Sequence, residues 1–317
     1  MKTFAIVTPT YNREFFLPRL YQSILAQEFP FSEFTWIVVD DGSTDNTKQL
    51  INSLSLVSPF EIIYLYKPNG GKHSAWRYVV NYLNPKDFKY FVSIDSDDEL
   101  TSDALCVFNQ HWIELEGNND IGLINARTMV YGGKDNPHEI FAEDQCIDDT
   151  YQNVTIKMGE QSEMITSIRV KELHKYLDIP TDFWLRDKVK FFSENILWAR
   201  AGRLTKTRYL KNVLRIVHCD ATNQVSHNRD KKSTNHLYNY IVGIKYFYIE
   251  NLDYISKYQK AQMLIDIAKF GAMCMIVGID FKTTILELKV PILRLLVVVM
   301  WPLSLFLVIC FYLKRYI

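Results

Sequence analysis

The N-terminal part of the sequence repeats one pattern: a continuous apolar run, then polar turn-forming residues, then a helical segment. The apolar runs are "TFAIVTP", "FTWIVVD", "EIIYLY" and "YFVSID". Helical patterns lie between them, over 15–27, 46–54 and 75–83. Continuous runs rich in Val, Ile and Tyr are typical of strands covered on both faces, so the pattern predicts an α/β fold with a mostly parallel sheet flanked by helices.

Polar loops follow all four predicted strands. Their sequences are "TPTYN", "DDGSTDNT", "KPNGGKH" and "DSDDEL". In parallel sheets of this kind ligands bind beyond the carboxyl ends of the strands. The four loops are therefore predicted to meet at one edge of the sheet and to form a ligand site there.

The last of these loops carries Asp95, Asp97, Asp98 and Glu99. Carboxylates this close together repel one another unless a cation neutralises them or some are protonated. A D-x-D after a buried strand presents hard oxygen ligands, which suit Mg²⁺ or Mn²⁺ when phosphate oxygens and water complete the coordination shell. The alternative is that Asp97, Asp98 and Glu99 cap the following helix.

Charge and cysteine content restrict the partners and the compartment. Lys plus Arg and Asp plus Glu both number 36, so a formal net charge of zero provides no general attraction to nucleic acid, and none is expected as a partner. The 5 cysteines are scattered without a C-x-x-C pair, which indicates neither a disulfide framework nor a zinc site. This usage is typical of a reduced, cytoplasmic compartment.

The C-terminal segment is apolar enough to contact a membrane. Leu295 to Leu313 contains no charged residue, and a helix needs roughly 20 apolar residues to span a bilayer. Pro302 interrupts this segment, and Lys314 and Arg315 follow it, which is unfavourable for a simple span from the cytoplasm. Membrane association is predicted, and both a complete crossing and a re-entrant or in-plane hairpin stay open.

We predict three regions and one long loop. The regions are an α/β domain over 1–225 with halves 1–130 and 131–225, a helical region over 226–285, and a membrane-associated segment over 286–317. The acidic stretch 132–153 predicts an excursion over the site, because long loops inside a compact domain are often functional.

The stretches "AIVTPTYNRE", "VVDDGSTDNT", "NGGKHSAW" and "VSIDSDDEL" occur in this order, and together they resemble the donor-binding half of family 2 glycosyltransferases over residues 4 to about 130. The resemblance implies a GT-A fold, which is Rossmann-like. It also implies an inverting, metal-dependent transfer of a sugar from a nucleotide diphosphate sugar, with a UDP-sugar as donor and Mn²⁺ or Mg²⁺ as cofactor.

The resemblance assigns donor contacts to the first three loops. Pro9, Thr10 and Tyr11 match the loop that holds the base and ribose, with an aromatic ring packed against the protein as the alternative for Tyr11. Asp41 matches the residue that hydrogen-bonds the base, and an ionised carboxylate suits the N3–H of uracil because it only accepts hydrogen bonds. The alternative for Asp41 is an Asx-turn with the residues that follow. Lys72 matches a contact to the base or diphosphate, with a solvated lysine as the alternative.

In the fourth loop the resemblance assigns donor binding and metal binding to neighbouring residues. Asp95 matches the residue that holds the ribose or the sugar, and Ser96 is counted with it. Asp97 matches the metal ligand, and Asp98 shares this role or is structural. His218 and His227 either complete the metal shell or are ordinary histidines. That second possibility applies to most isolated histidines.

The acceptor half matches the family less closely. Inverting members place a Glu-Asp pair at the start of a helix, and "FSENILWARAGRL" resembles that region with Glu194 followed by Asn195. A neutral amide does not accept a proton at physiological pH, so Glu194 is the candidate base that deprotonates the acceptor hydroxyl. Its alternative role is a capping carboxylate after Ser193.

A basic run lies just after this region. It comprises Arg200, Arg203, Lys206, Arg208, Lys211 and Arg215. Two interpretations stay open: a solvated face, or a surface that meets anionic lipid headgroups or a pyrophosphate-linked acceptor.

We therefore predict a glycosyltransferase at the cytoplasmic face of a membrane, the inner membrane of a bacterium, that acts on a lipid-linked or glycan acceptor in the synthesis of cell-surface polysaccharide or lipopolysaccharide. One alternative is sugar transfer to polyprenyl phosphate. Another is a non-catalytic donor-binding partner of a synthase complex, which Asn195 favours. A nucleotidyltransferase is disfavoured because no Gly-rich phosphate loop accompanies the acids.

Overall fold

The computed structural model describes residues 1–131, 146–160, 162–176, 185, 188–189, 194–220 and 235–316. Most of the predicted loop over 132–153, together with Ser193 and His227, lies outside these residues. The chain divides into two compact units. The first is Met1–Ile179 with Ala201–His227, and the second is Pro180–Arg200 with Asn228–Ile317.

A sheet with nine strands in the described part of the chain forms the first unit. The strands are β1 (Lys2–Thr10), β2 (Phe34–Asp40), β3 (Glu61–Tyr66), β4 (Phe88–Ser93), β5 (Glu99–Leu100), β6 (Ile121–Val130), β7 (Cys146–Asp149), β8 (Met164–Arg169) and β9 (Lys206–Val217). Their order is β3-β2-β1-β4-β8-β6-β9-β5, and β7 pairs with β9. Strands β3, β2, β1 and β4 are parallel, whereas β8 is antiparallel to both β4 and β6. The predicted parallel sheet is thus its N-terminal half, and the second half is mixed.

Helices follow the strands as the apolar periodicity predicts. They are α1 (Leu17–Leu25), α2 (Thr47–Val57), α3 (Lys72–Tyr82), α4 (Ala104–Glu114), α5 (Leu173–Tyr176), α6 (Glu194–Leu204), α7 (Asn235–Tyr258), α8 (Lys260–Ile276), α9 (Phe281–Glu287) and α10 (Pro291–Tyr316). The first three begin and end within three residues of the predicted helices.

Both faces of the parallel strands are buried. Alternate residues of β1 point to opposite faces, and Phe4 and Ile6 join Trp36 in a core that α1, α2 and α4 cover. On the other face α3 packs against the sheet, with the ring of Trp76 5.5 Å from that of Phe91. This two-sided burial explains why the strands read as continuous apolar runs.

The acidic loop after β4 does not cap a helix. Strand β5 follows the loop directly and pairs with β9, and α4 begins only at Ala104 with Asp103 as its N-cap residue. The alternative in which Asp97, Asp98 and Glu99 cap the next helix is therefore wrong.

The second unit contains α7 to α10. Helix α7 is kinked at Asn251, where φ is −128° and the side chain donates to the carbonyl of Phe247 at 2.8 Å. In α10, the stretch Pro291–Tyr312 has 22 residues and a mean hydropathy of 2.5, so by length and composition it is able to cross a membrane. Only 11% of its most apolar 18-residue segment is buried.

Candidate active site

The carboxyl ends of β1, β2 and β3 lie side by side, as the strand pattern predicts. In the register of the sheet Thr10 pairs with Asp40, and Asp40 pairs with Tyr66. Beyond these pairs the backbone N–H of Asp41 donates to the carbonyl of Thr10 at 2.9 Å, and that of Lys67 donates to the carbonyl of Asp40 at 2.9 Å. The first three loops therefore start from one edge.

The first loop combines two buried residues with one exposed ring. Pro9 is buried in β1 and Thr10 is 3% exposed, whereas Tyr11 is 45% exposed. Among the described residues Thr10 Oγ1 is buried without a hydrogen-bond partner, and the predicted role of Thr10 in donor binding stays a prediction. Asn12 has a φ of 53° and accepts at 2.8 Å from the N–H of Thr44, which ties the first loop to the second.

Asp40 and Asp41 organise the second loop differently. Asp40 accepts from the N–H of Ser43 at 2.7 Å and from the hydroxyl of Tyr64 at 2.6 Å, so it fixes the loop. Burial and the neighbouring Asp40 raise the pKa of Tyr64 well above its ordinary value, so its hydroxyl stays a donor. Both aspartates are almost completely buried.

Asp41 holds the third loop as well as facing the site. Its carboxylate accepts from the N–H of Gly70 at 3.0 Å and of Gly71 at 2.7 Å, and it forms an ion pair with Lys67. A carboxylate has about four lone-pair positions, and these contacts use three. One position remains for the predicted hydrogen bond to a base. The sequence interpretation missed Lys67, although its position directly after β3 was a usable signal.

The third and fourth loops meet through an ion pair. Lys72 Nζ lies 2.7 Å from Asp95 Oδ1, at the start of α3. Two residues that the sequence assigned independently to the donor are thus in direct contact. A ligand diphosphate at Lys72 would lie next to the D-x-D loop.

Arg215 on β9 binds the acidic loop from the other side. Its Nε donates to Asp98 Oδ2 at 2.7 Å, and its Nη2 lies 3.0 Å from Asp95 Oδ2 and 3.0 Å from Glu163 Oε1. Asp98 Oδ1 accepts from the N–H of His218 at 3.1 Å. Asp98 is 2% exposed and the side chain of Arg215 is 8% exposed, so the cluster is desolvated.

The pKa values of Asp95 and Asp98 are shifted in opposite directions. Burial disfavours the ionised form of Asp95, but Lys72 and Arg215 outweigh it and hold the pKa of Asp95 well below its usual range. For Asp98 burial dominates and raises the pKa to about 6, while Arg215 acts in the opposite direction. The surroundings of Asp95 therefore favour its ionised form, whereas burial favours the protonated form of Asp98.

The predicted metal ligands of this loop are Asp97 and Asp98. Both oxygens of Asp95 and of Asp98 contact protein donors, so a metal on Asp98 would have to displace one of these contacts. Asp97 lies 3.9 Å from Arg13, and its backbone carbonyl accepts from Arg19. The described residues contain no group of three or more His, Cys, Asp or Glu placed to hold a metal. One carboxylate with phosphate oxygens and water still fits Mg²⁺ or Mn²⁺, so the metal role of Asp97 stays a prediction.

Ser96 is buried between these acids, with 6% of its surface exposed. Its predicted part in donor binding stays a prediction.

A second polar cluster lies beside Asp97. His218 Nε2 is 2.6 Å from Glu99 Oε1, and the ring of His218 stacks on that of Tyr131 with centroids 4.7 Å apart. Arg19 joins the cluster through an ion pair of 2.7 Å with Asp220. The side chains surround an open cavity of about 540 Å³. His218 thus has defined protein contacts, and its part in a metal shell stays a prediction.

The basic run between 200 and 215 is not one surface. Arg208 forms ion pairs with Asp148 at 2.8 Å and Glu114 at 2.9 Å, and Arg215 is buried among the acids. Because Arg215 is buried in ion pairs with acids, the interpretation as a solvated face is wrong for this residue, and contact of the run with lipid headgroups or an acceptor stays a prediction. Sequence spacing alone does not separate Arg208 and Arg215 from the other basic residues, because along β9 Arg208 alternates in step with the exposed Lys206.

Glu194 is the first residue of α6 and belongs to the second compact unit. The acidic loop belongs to the first unit. The role of Glu194 as a base stays a prediction.

Comparison with known proteins identifies related chains. A family model described as "Glycosyl transferase family 2" matches residues 5–176. Poly(ribitol-phosphate) beta-N-acetylglucosaminyltransferase TarS of Staphylococcus aureus is 30% identical over 147 residues, which are 45% of this chain and 24% of that protein. The GalNAc(5)-diNAcBac-PP-undecaprenol beta-1,3-glucosyltransferase of Campylobacter jejuni is 33% identical over 135 residues, 37% of this chain and 41% of that protein. The matches thus span less than half of the length of either relative.

A solved structure is also similar. The crystal structure of S. aureus TarS 1–349 in complex with UDP-GlcNAc has a TM-score of 0.61 at 19% identity, over 90% of this chain and 79% of that chain. At this identity the likeness shows the fold alone. It confirms the predicted GT-A class, a Rossmann-like sheet with helices.

Proposed function

Because the chain belongs to glycosyl transferase family 2, we propose that it transfers a sugar from a UDP-sugar to a membrane-associated glycan or glycolipid acceptor in the synthesis of cell-surface polysaccharide. The observation that carries this proposal is the contact between Lys72 and Asp95, which joins a cation suited to a diphosphate to the D-x-D loop. The family resemblance that the four loops predicted is confirmed by the family match.

UDP is the proposed nucleotide. One structural neighbour is a complex with UDP-GlcNAc, which supports a uracil base here as well. Asp41 has one acceptor position left for the uracil N3–H, and the exposed ring of Tyr11 is able to stack on the base.

The diphosphate would be met by local positive charge. Lys72 and Arg13 are two of the basic side chains that contact the acids of the loop. Asp97 would hold a divalent cation, which when bound would stabilise the negative charge that develops on the leaving diphosphate. Charge-assisted hydrogen bonds from Lys72 to phosphate oxygens would orient the donor for reaction.

The base in the proposed reaction is Glu194. Its carboxylate would take the proton of the acceptor hydroxyl while that oxygen bonds to the anomeric carbon and the bond from this carbon to the diphosphate breaks. Attack from the side opposite the leaving group inverts the configuration.

The acceptor and the location follow from the relatives and from α10. One relative is named for an undecaprenol-linked acceptor and another for poly(ribitol phosphate), so bacterial surface glycans are the proposed acceptor class. The apolar stretch of α10 supports attachment to a membrane, with the cytoplasmic face of the bacterial inner membrane as the proposed location.

The test begins with donor binding by the full chain. A thermal-shift screen of nucleotide sugars with and without Mn²⁺ should show the largest rise in Tm for a UDP-sugar, because a ligand that binds only the folded state stabilises it by mass action. Donor hydrolysis and transfer to membrane extracts should then follow the same donor. Stabilisation by a UDP-sugar without hydrolysis or transfer would instead identify a non-catalytic donor-binding partner, the alternative that Asn195 favours.

A further inference from the structure

Helix α10 has one packed side and one exposed apolar side. Leu293, Val297 and Ser304 are buried, and their spacing places them on one side of the helix. The exposed apolar residues of α10 include Ile292, Leu295, Val299, Leu303, Phe306 and Ile309, which are 41% to 62% exposed. At about 100° per residue these six form a continuous stripe along the helix, which we call the apolar stripe.

The packed side is fastened to α8 and α9. Ser304 Oγ donates to the carbonyl of Ala268 at 2.9 Å, and a Cβ on Gly271 would lie 2.6 Å from Ser304 Oγ. The rings of Trp301 and Phe281 meet edge to face with centroids 4.5 Å apart. Wherever α10 lies, α8 must therefore accompany it.

This attachment brings charges to the middle of the apolar stretch. Ser304 lies near the middle of Pro291–Tyr312, and its partner Ala268 is flanked on α8 by Asp266 and Lys269. These two form an ion pair of 3.3 Å, and the side chain of Lys269 is 47% exposed. If α10 crossed a bilayer, this pair would lie close to the centre of the hydrocarbon layer, where charged side chains are strongly disfavoured.

We propose that α10 lies in the plane of a membrane, with the apolar stripe in one leaflet and α8 on the headgroup side. In this orientation Lys269 and Asp266 stay in the polar headgroup region, while the side chains of the apolar stripe are removed from water. Lys282 lies in α9, Lys289 lies just before α10 and Arg294 lies in its first turn, and these residues would meet anionic headgroups. The proposal concerns the membrane association in the proposed function and is independent of sugar transfer.

The orientation is tested by adding the purified full chain, with one peptide tag at each end, to sealed vesicles of phosphatidylcholine and phosphatidylglycerol. In-plane binding leaves both tags outside, so added protease should remove both without detergent. Protection of the C-terminal tag alone would mean that α10 crosses the bilayer and would overturn the proposal.

Two charge substitutions test the stripe itself. Val299→Lys and Phe306→Lys should each lower partitioning to the vesicles at least tenfold in a flotation assay. Leu56→Lys places the same charge at an exposed position on α2, where Leu56 is 86% exposed, and should leave partitioning unchanged. Unchanged partitioning of both stripe variants, or concentration-dependent dimers without vesicle binding, would contradict the proposal. The vesicle assays contain no sugar donor, so they measure membrane binding alone. Loss of sugar transfer with intact vesicle binding would therefore count against the proposed function only.

Discussion

Arg215 and Asp98 form a buried ion pair across 117 residues of sequence, with Arg215 Nε 2.7 Å from Asp98 Oδ2. The same guanidinium reaches Asp95 and Glu163 at 3.0 Å each. The position of the D-x-D loop is therefore set by β9 in the second half of the domain, and not only by β4, which precedes the loop.

Removing this guanidinium should destabilise the protein and weaken donor binding. In Arg215→Gln, Asp95 and Asp98 keep their burial but lose a shared cation, and breaking a buried pair from one side costs about 3–5 kcal/mol. Urea unfolding measures the loss of stability, and calorimetric titration with UDP measures binding. Arg208→Gln is the control, because it removes a guanidinium from the same strand away from the acidic loop. UDP binding of Arg215→Gln at the wild-type affinity would contradict the positioning role of Arg215.

Stability should depend on the titration of Asp98. Its pKa rises to about 6 on folding, from about 3.9 in an unfolded chain, so the folded state takes up the proton first. The wild type should therefore gain stability relative to Asp98→Asn as the pH falls from about 6 to about 4, by about 1 kcal/mol between pH 7 and pH 5. Urea unfolding of both proteins at the two pH values measures this difference. A wild-type advantage that shrinks as the pH falls would reverse the sign and refute the assignment.

Asp97→Ala should abolish metal-dependent turnover with little change in folding. The backbone carbonyl of Asp97 accepts from Arg19, and this contact does not need the carboxylate. We expect kcat to fall roughly a hundredfold or more, as is usual when one charge-stabilising group is lost. A Mn²⁺ titration of sugar transfer measures the effect, with Asp103→Asn as the control at an exposed acid that precedes α4. Transfer by Asp97→Ala at a near wild-type rate would exclude Asp97 as the metal ligand.

Glu194→Gln should keep donor binding and lose transfer to a hydroxyl acceptor. The amide has nearly the same shape but accepts no proton, so the loss should appear in kcat rather than in the affinity for UDP. Parallel assays with a glycan acceptor and with polyprenyl phosphate separate the two acceptor classes. A phosphate is already a nucleophile, so an unaffected rate with polyprenyl phosphate alone would support that alternative. An unchanged kcat with the glycan would remove Glu194 as the base.

Gly42→Ala should weaken UDP binding as well as stability. Gly42 has a φ of 82°, and a Cβ there would lie 2.7 Å from the backbone nitrogen of Asn69, next to the amides that hold Asp41. Gly117→Ala is a matched control, since Gly117 has a φ of 80° but no atom within 4 Å of the added Cβ. Each should lose about 1 kcal/mol or more because of the left-handed backbone. Only Gly42→Ala should also bind UDP more weakly in calorimetry, and equal affinities of the two variants would contradict the close approach of the loops.

Much of the first unit was predictable from local patterns. Strands buried on both faces are recognisable as continuous apolar runs, and the parallel arrangement brings their carboxyl ends together. The adjacency of the loops that contain Asp41 and Lys72 follows from this rule. The helix-capping interpretation of the acidic loop failed because strand β5 pairs with β9, and β9 begins more than a hundred residues later.

The sequence by itself determined the α/β architecture, the edge where the loops meet and the presence of an acidic loop there. Only the tertiary structure decided which basic side chain contacts each acidic side chain. Lys72 is near in sequence, but Arg215 reaches Asp98 because the mixed half of the sheet folds β9 back beside β5. Successive side chains of a strand point to opposite faces of the sheet. Which face meets a distant carboxylate depends on how the strands pair, and no local sequence pattern contains that information.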